Sequence, residues 1–227
     1  VQCHENMRLL GTAAPRERFR LGGIPYPPAC DAFVALCREH ETLPELELSY
    51  YCDEPEAAWD KLLLSELDMM LSLCSPESGE RLLRQCKQQG LSVRHLVDVP
   101  IVLRIGPNHP LYHAPEIHLS DFEGYTLVDY NRRNFLDVPN LSTLMKIDPD
   151  RVITVSDRSM KYTLISQGTM YALDCKLPPI TNQRFKFRCI PLGDLHYCLY
   201  VIQRKDTADT PLGQRYLELL SSILKDL

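Results

Sequence analysis

The sequence has no long apolar run. Its cleanest stretches, such as Leu62-Leu63-Leu64, fall far short of the ~20 residues a membrane-spanning helix needs, so no membrane span is expected. Basic charge is not in excess: 25 Lys and Arg stand against 30 Asp and Glu, a formal net charge of −5. A chain that grips DNA by itself carries a basic surplus or a basic face, and this one carries neither. The spacing signatures of catalysis are also missing. No G-x-S-x-G elbow presents a nucleophilic serine, and neither a P-loop nor a G-x-G-x-x-G turn offers amides to a phosphate. Asp194 and His196 fit an ordinary loop-to-strand junction. There is no internal repeat or low-complexity tract. Val1 to Arg20 holds six charged residues and no apolar centre, which is not the pattern of a secretory signal.

What is present is the composition of a globular protein, 44% hydrophobic and 24% charged, which excludes disorder as the main state. A length of 227 residues allows one large domain or two small ones. The nine cysteines are odd in number and irregular in spacing, unlike a disulfide framework. Several lie in apolar periodic stretches, where free cysteine acts as a small hydrophobe. This points to a reducing cytosol. A sensor thiol should be exposed and close to basic groups. Cys86, near Arg84 and Lys87, and Cys189, next to Arg188, come closest to that pattern, although packing explains most of the cysteines. A start at Val1 suggests a fragment or a processed product.

Strands and helices alternate along the chain. Phe19 to Gly23 reads as a strand, followed by the rigid turn Ile24-Pro25-Tyr26-Pro27-Pro28. A helix is expected to open at Pro28, because proline is favourable in the first turn, and to run to about Glu41. Leu46 to Tyr50 alternates as a strand. A helix over Ala57 to Ser65 and a buried strand over Leu67 to Leu73 come next. Ser75-Pro76-Glu77 opens a further helix ending at Gly90. Val97 to Ile105 is strand-like. In a second block, Tyr125 to Val128, Val152 to Val155 and Met170 to Leu173 read as strands, and Phe135 to Ile147 and Arg158 to Gln167 as helices. Phe185 to Ile190 and His196 to Gln203 read as two separate strands. A closing helix from Pro211 to Leu227 shows an apolar face. Such alternation argues for α/β blocks with parallel strands and crossover helices, and for a ligand cleft between the blocks.

Specific strings carry a resemblance. Asn108-His109-Pro110-Leu111, followed by Ile117, Leu119, Asp121, Phe122, Gly124 and Tyr125, resembles a recurrent segment of LysR-type transcriptional regulators. Leu43-Pro44-Glu45-Leu46-Glu47-Leu48 and Ser65-Glu66-Leu67-Asp68-Met69-Met70-Leu71 are similar to two of the family's strand openings. Ser166-Gln167-Gly168 with Tyr171-Ala172-Leu173 looks like its helix-to-strand turn. Leu199-Tyr200-Val201, Arg204-Lys205 and the closing helix complete an ordered set from about Phe19 to Leu227. The resemblance implies an effector-binding domain of periplasmic-binding-protein-like type 2 fold: two Rossmann-like subdomains with a central cleft and two crossover strands. It divides the chain into a linker tail (1–18), subdomain I (19–101 plus 200–227) and subdomain II (102–199). It implies no enzymatic activity and no cofactor. The implied partners are a small-molecule effector, a second copy in a dimer or tetramer, and DNA through an N-terminal helix-turn-helix outside this chain, all in the cytoplasm. The sequence departs from the family at Pro25-Tyr26-Pro27-Pro28, where a Ser or Thr is common, at Met170, and at Asp174 in place of a usual proline. The segment Ser75 to Gly90 is longer than usual. A transport solute-binding protein of the same fold, and an enzyme built on it, are the alternative readings.

The expected cleft residues are Pro25, Tyr26, Pro27, Leu73, Cys74, Tyr130, Asn131, Arg132, Ser156 and Thr169. The start of the Pro28 helix would offer the Ala29 and Cys30 amides to an anion. Arg132 or Arg133 would give a carboxylate a two-pronged contact. His109, His113 and His118 stand at loop spacings broken by Pro110 and Pro115, so no metal site is expected there. The helix from Pro28 and that from Arg158 to Gln167 are candidate dimer faces. If Arg132 holds an acid, a small organic acid that raises the melting midpoint of the parent leaves that of Arg132→Ala unchanged in a thermal-shift assay.

Overall fold

A computed structural model describes residues 17–43, 45–52, 55–130, 151–206 and 210–227. The strands are β1 (Arg18–Gly23), β2 (Glu47–Tyr51), β3 (Met69–Cys74), β4 (Leu91–Ile105), β5 (Leu127–Tyr130), β6 (Val152–Val155), β7 (Tyr171–Cys175) and β8 (Arg188–Arg204). The helices are α1 (Pro27–Glu39), α2 (Pro55–Leu63), α3 (Pro76–Gln88), α4 (Arg158–Gln167), α5 (Pro179–Phe185) and α6 (Pro211–Leu224). Proline opens every one of these helices except α4. There it presets φ and removes an amide that would have no partner in the first turn. Hydroxyls or a carboxylate cap three starts: Ser75 accepts from the Ser78 amide at 3.3 Å, Asp157 from Met160 at 3.0 Å and Thr210 from Gly213 at 3.3 Å.

The strands form one mixed sheet in the order β2-β1-β3-β8-β4-β7-β5-β6. β1 runs parallel to β2 and β3, and β5 runs parallel to β6 and β7. Between these two parallel halves lie β8 and β4, antiparallel to each other and to their outer neighbours β3 and β7. The register shows how the halves meet. β3 ends with Cys74 opposite Cys198, β7 ends with Cys175 opposite Ile101, and between these points Val99 faces Tyr197. The carboxyl ends of both parallel halves therefore point at the same short stretch of the β4–β8 ladder.

Three clusters of buried side chains hold the layers together. The largest covers one face of the sheet through both halves, from Phe19, Leu21 and Leu36 through Ile101 and Leu199 to Leu127 and Leu173. α1 and α6 close it on the first half, where Tyr216 Oη donates to the Ala29 carbonyl at 3.2 Å. Arg215 clasps Glu39 with two hydrogen bonds of 2.7 and 2.8 Å. On the other face, α2 and α3 cover the first half around Trp59, Leu62, Leu82 and Cys86, and α4 covers the second around Val128, Tyr162 and Ile165. The chain thus returns from the second half to finish on the first.

Two expectations are corrected. The two strands read at Phe185 to Ile190 and His196 to Gln203 are one strand, β8, and Phe185 belongs to α5. Pro191 and Gly193 (φ +62°) look like a break, but they sit in a bulge: Pro191 to His196 on β8 oppose Val102 to Pro100 on β4. β4 also starts at Leu91, well before Val97: the exposed pair Arg94 and His95 interrupts the alternation that Leu91 and Val93 begin. The helix read over Phe135 to Ile147 lies outside the described residues.

Gly23 is where β1 leaves the sheet. Its φ is +122°, and a Cβ there would lie 2.2 Å from the Leu71 carbonyl oxygen. Gly23→Ala is expected to lower stability by at least about 1–3 kcal/mol from backbone strain, with the clash added. Urea denaturation measures it, and an unchanged midpoint would refute the assignment.

Candidate functional site

The site is built where the two halves point at each other. From Gly23 the chain runs through Ile24-Pro25-Tyr26 into α1. Tyr26 is buried, and its hydroxyl donates across the cleft to the Lys176 carbonyl just past β7, at 3.0 Å. Burial raises the Tyr26 phenol pKa, so it stays a neutral donor. Arg158, the first residue of α4, reaches back the other way. Its Nη1 donates to the Pro25 carbonyl at 2.9 Å and to the Cys30 thiol at 3.4 Å. One turn further along α1, Asp31 accepts from Thr181 Oγ1 at 3.0 Å and from Arg184 Nη1 at 3.1 Å, both on α5. The first turns of α1 are thus stitched to the start of α4 and to both ends of the short α5.

A charged cluster lies beneath α4. Arg104, from β4, is fully buried. Its Nη1 donates to Asp174 Oδ2 at 2.9 Å and to Tyr162 Oη at 3.0 Å, and its Nη2 donates to the Cys175 carbonyl at 2.7 Å. Burial is the largest single influence and works against the Arg104 charge, but Asp174, Tyr162 and Cys189 together outweigh it and the pKa is raised. The rings of Tyr162 and Phe187 lie 5.3 and 5.4 Å from the guanidinium carbon, a spacing suited to cation–π attraction. Lys161, also buried, donates to the Leu173 carbonyl at 3.1 Å, lies 3.7 Å from Asp174 Oδ2 and sits 4.1 Å over the Tyr130 ring. One carboxylate at the end of β7 thus holds two buried cations, one from β4 and one from α4.

Pro25, Tyr26 and Pro27 are brought together with Arg158 and Lys176, and Tyr130 joins through Lys161. Leu73 packs at the edge of the large core, whereas Cys74 is buried on the opposite face of the sheet, as strand alternation requires. Ser156 is exposed, just before the Asp157 cap. Thr169 does not join the others: it is exposed and precedes β7, at the far end of that strand from Cys175. Asn131, Arg132 and Arg133 lie outside the described residues.

The amides of α1 are not free. Pro27 and Pro28 have none, and those of Ala29 and Cys30 both donate to the Tyr26 carbonyl, at 3.0 and 3.2 Å. His109 is a buried cap: its Nδ1 accepts from the Leu111 amide at 3.1 Å, and its ring packs 4.5 Å from that of Tyr125. Burial pushes the Cys86 thiol up to about 11, which makes it an inert packing group. Sequence reasoning missed Arg158, Arg104, Lys161, Asp31 and Lys176 as site residues. Asp174 had been visible as a departure from the family pattern, and Arg158 was signalled by a strand running into an Asp-capped helix start.

Two Rossmann-like halves, joined by two crossing strands and facing each other across a cleft, define the periplasmic-binding-protein-like fold of type 2. The comparisons agree. The profile of the LysR substrate binding domain matches residues 12–224, and the chain belongs to that family. The fold is similar to the regulatory domain of MetR, a LysR family regulator from N. meningitidis, with a TM-score of 0.62 at 18% identity over 92% of this chain and 96% of that one. It is also similar to the effector-binding domain of BenM with its effector benzoate (0.60, 15%, covering 93% and 94%) and to that of QuiR in complex with shikimate (0.59, 14%, covering 93% and 98%). No curated protein sequence matches the chain.

Removing Asp174 would leave Arg104 and Lys161 buried without it. Asp174→Ala is expected to cost about 3–5 kcal/mol, the usual penalty for breaking a buried ion pair from one side. Chemical denaturation measures this, and a loss below about 1 kcal/mol, the level of exposed pairs, would show the cluster to be solvated.

Proposed function

We propose that this chain is the ligand-sensing regulatory domain of a LysR-type transcription factor and that a small organic acid binds in its cleft. The observation that carries this reading is Arg158. It stands at the start of a helix, faces the opposite half, and donates to two neutral acceptors, the Pro25 carbonyl and the Cys30 thiol. A carboxylate would accept a stronger, charge-assisted and two-pronged bond from the same guanidinium. The helix-start dipole of α4 adds to the attraction. The structural relatives that hold benzoate and shikimate support an acid as the ligand class.

In this reading the subdomains are residues 19–101 with 200–227, and residues 102–199. The contacts Tyr26–Lys176, Arg158–Pro25 and Asp31 with Thr181 and Arg184 all run between them. An effector that competes for these partners binds one spacing of the halves better than another, and that difference shifts the population. Asn131, Arg132, Ser156 and the Pro25-Tyr26-Pro27 turn complete the proposed lining. A homodimer or tetramer in the cytoplasm, contacting DNA through a helix-turn-helix outside this chain, completes the assembly. Val34 on α1 and Met160 on α4 are exposed apolar residues on the proposed dimer faces.

A thermal-shift screen of small aromatic and aliphatic carboxylates tests the reading. A ligand at about a hundred times its Kd stabilises by about 2.7 kcal/mol, which is easily seen. The shift is expected to vanish in Arg158→Ala and to survive in part in Arg158→Lys. A shift unchanged in Arg158→Ala would remove Arg158 from the site, and no shift with any acid would overturn the ligand class.

A further inference from the structure

Away from the cleft charges, the crossing strands bring together a second group of side chains that the regulatory reading does not use. His95 and Asp98 project from β4, and His196 and Cys198 from β8. His95 Nε2 lies 2.8 Å from Asp98 Oδ1, and His196 Nε2 lies 4.0 Å from Asp98 Oδ2. Cys198 stands opposite Asp98 in the ladder, and donor atoms of His95, Asp98 and Cys198 all lie within 4.8 Å of one another. We propose that these four residues form a binding site for a zinc-class divalent cation, with two imidazoles, one carboxylate and one thiolate as ligands.

Four observations support this. The donor set is the one such a borderline-soft ion takes, and bonds of about 2.0–2.3 Å in a tetrahedron put donors about 3.3–3.8 Å apart, a small adjustment from the spacing of His95, Asp98 and Cys198, with His196 turning in from beside Asp98 as the fourth ligand. The supporting contacts are those that orient metal-bound imidazoles. His196 Nδ1 lies 2.9 Å from the Asp194 carbonyl oxygen, which can only accept, so Nδ1 carries a hydrogen and Nε2 is the nitrogen turned toward Asp98 and available to an ion. The His95 ring is backed edge-on by Tyr200 at 5.4 Å. Finally, the site is reachable: Cys198 is buried, but the side chains of His95, Asp98 and His196 are 44%, 55% and 37% exposed.

The location gives the site a consequence. The β4–β8 ladder shifts register between His95 and Val97 and again between Pro100 and Val102, and Asp98 lies between the two shifts. An ion there would bind the two crossing strands to each other where the halves join. Loading would release the Cys198 thiol proton to solvent, while the hydrogen on His95 Nε2 moves to Nδ1 and frees Nε2 for the ion. The site stands independently of the effector proposal.

Cobalt titration of the reduced full chain, in the presence of a non-chelating reductant, tests this. Expected is a thiolate-to-cobalt charge-transfer band with tetrahedral d–d bands that saturates at one equivalent, is displaced by zinc, and is lost in Cys198→Ser. The exposed variants His95→Gln and Asp98→Asn are expected to keep the metal-free melting midpoint and to weaken cobalt binding at least about tenfold, the smaller end of what even a supporting residue contributes. An absent band, a band that persists in Cys198→Ser, or parent-like affinity in both exposed variants would overturn the proposal.

Discussion

The antiparallel pairing of β4 with β8 is the constraint on which the rest of the molecule depends. Both strands are long enough to run through the two parallel halves, and each pairs with a different one: β8 with β3, and β4 with β7. The ladder therefore sets where the halves meet and the directions in which they point. Parallel strands open their carboxyl ends toward loops and helix starts. Since β3 and β7 run toward the same stretch of the ladder from opposite sides, those loops converge. Neither half would make a two-sided site alone.

The convergence has an electrostatic cost that the fold offsets locally. Taking an arginine and a lysine out of water is expensive unless each finds a counter-charge and further hydrogen bonds. Asp174 provides the charge, and the carbonyls of Leu173 and Cys175 with the Tyr162 hydroxyl provide the bonds. Because Arg104 comes from β4 and Lys161 from α4, the cluster also fixes α4 against the sheet. That placement aims Arg158, at the start of the same helix, across the cleft at Pro25. Packing, charge and site geometry are here one arrangement.

Much of this was legible in the chain. The alternation of strand and helix, the proline-opened helices and the ordered strings from Phe19 onward carry the fold class, and the positions of Pro25, Tyr26 and Tyr130 at strand ends make them candidates for the proposed cleft. What failed did so for physical reasons. Pro191 and Gly193 read as a break because a bulge and a turn use the same residues. The Ala29 and Cys30 amides read as free because the sequence cannot show that the Tyr26 carbonyl takes both. Thr169 was placed by nearness to a strand, but it sits at the strand's amino end, and only carboxyl ends face the cleft. His95 and His196, about a hundred residues apart, give no spacing signal.

The sequence by itself determined the local elements, the apolar faces they bury, and the family to which the chain belongs. Each of these depends on neighbours a few positions away, through the periods of helix and strand and the fixed φ of proline. Only the tertiary structure decided which side chains share a site. Arg158 with Pro25, Arg104 with Asp174, and His95 with Cys198 meet through strand register and crossover, and register is set by the whole sheet rather than by any segment of it.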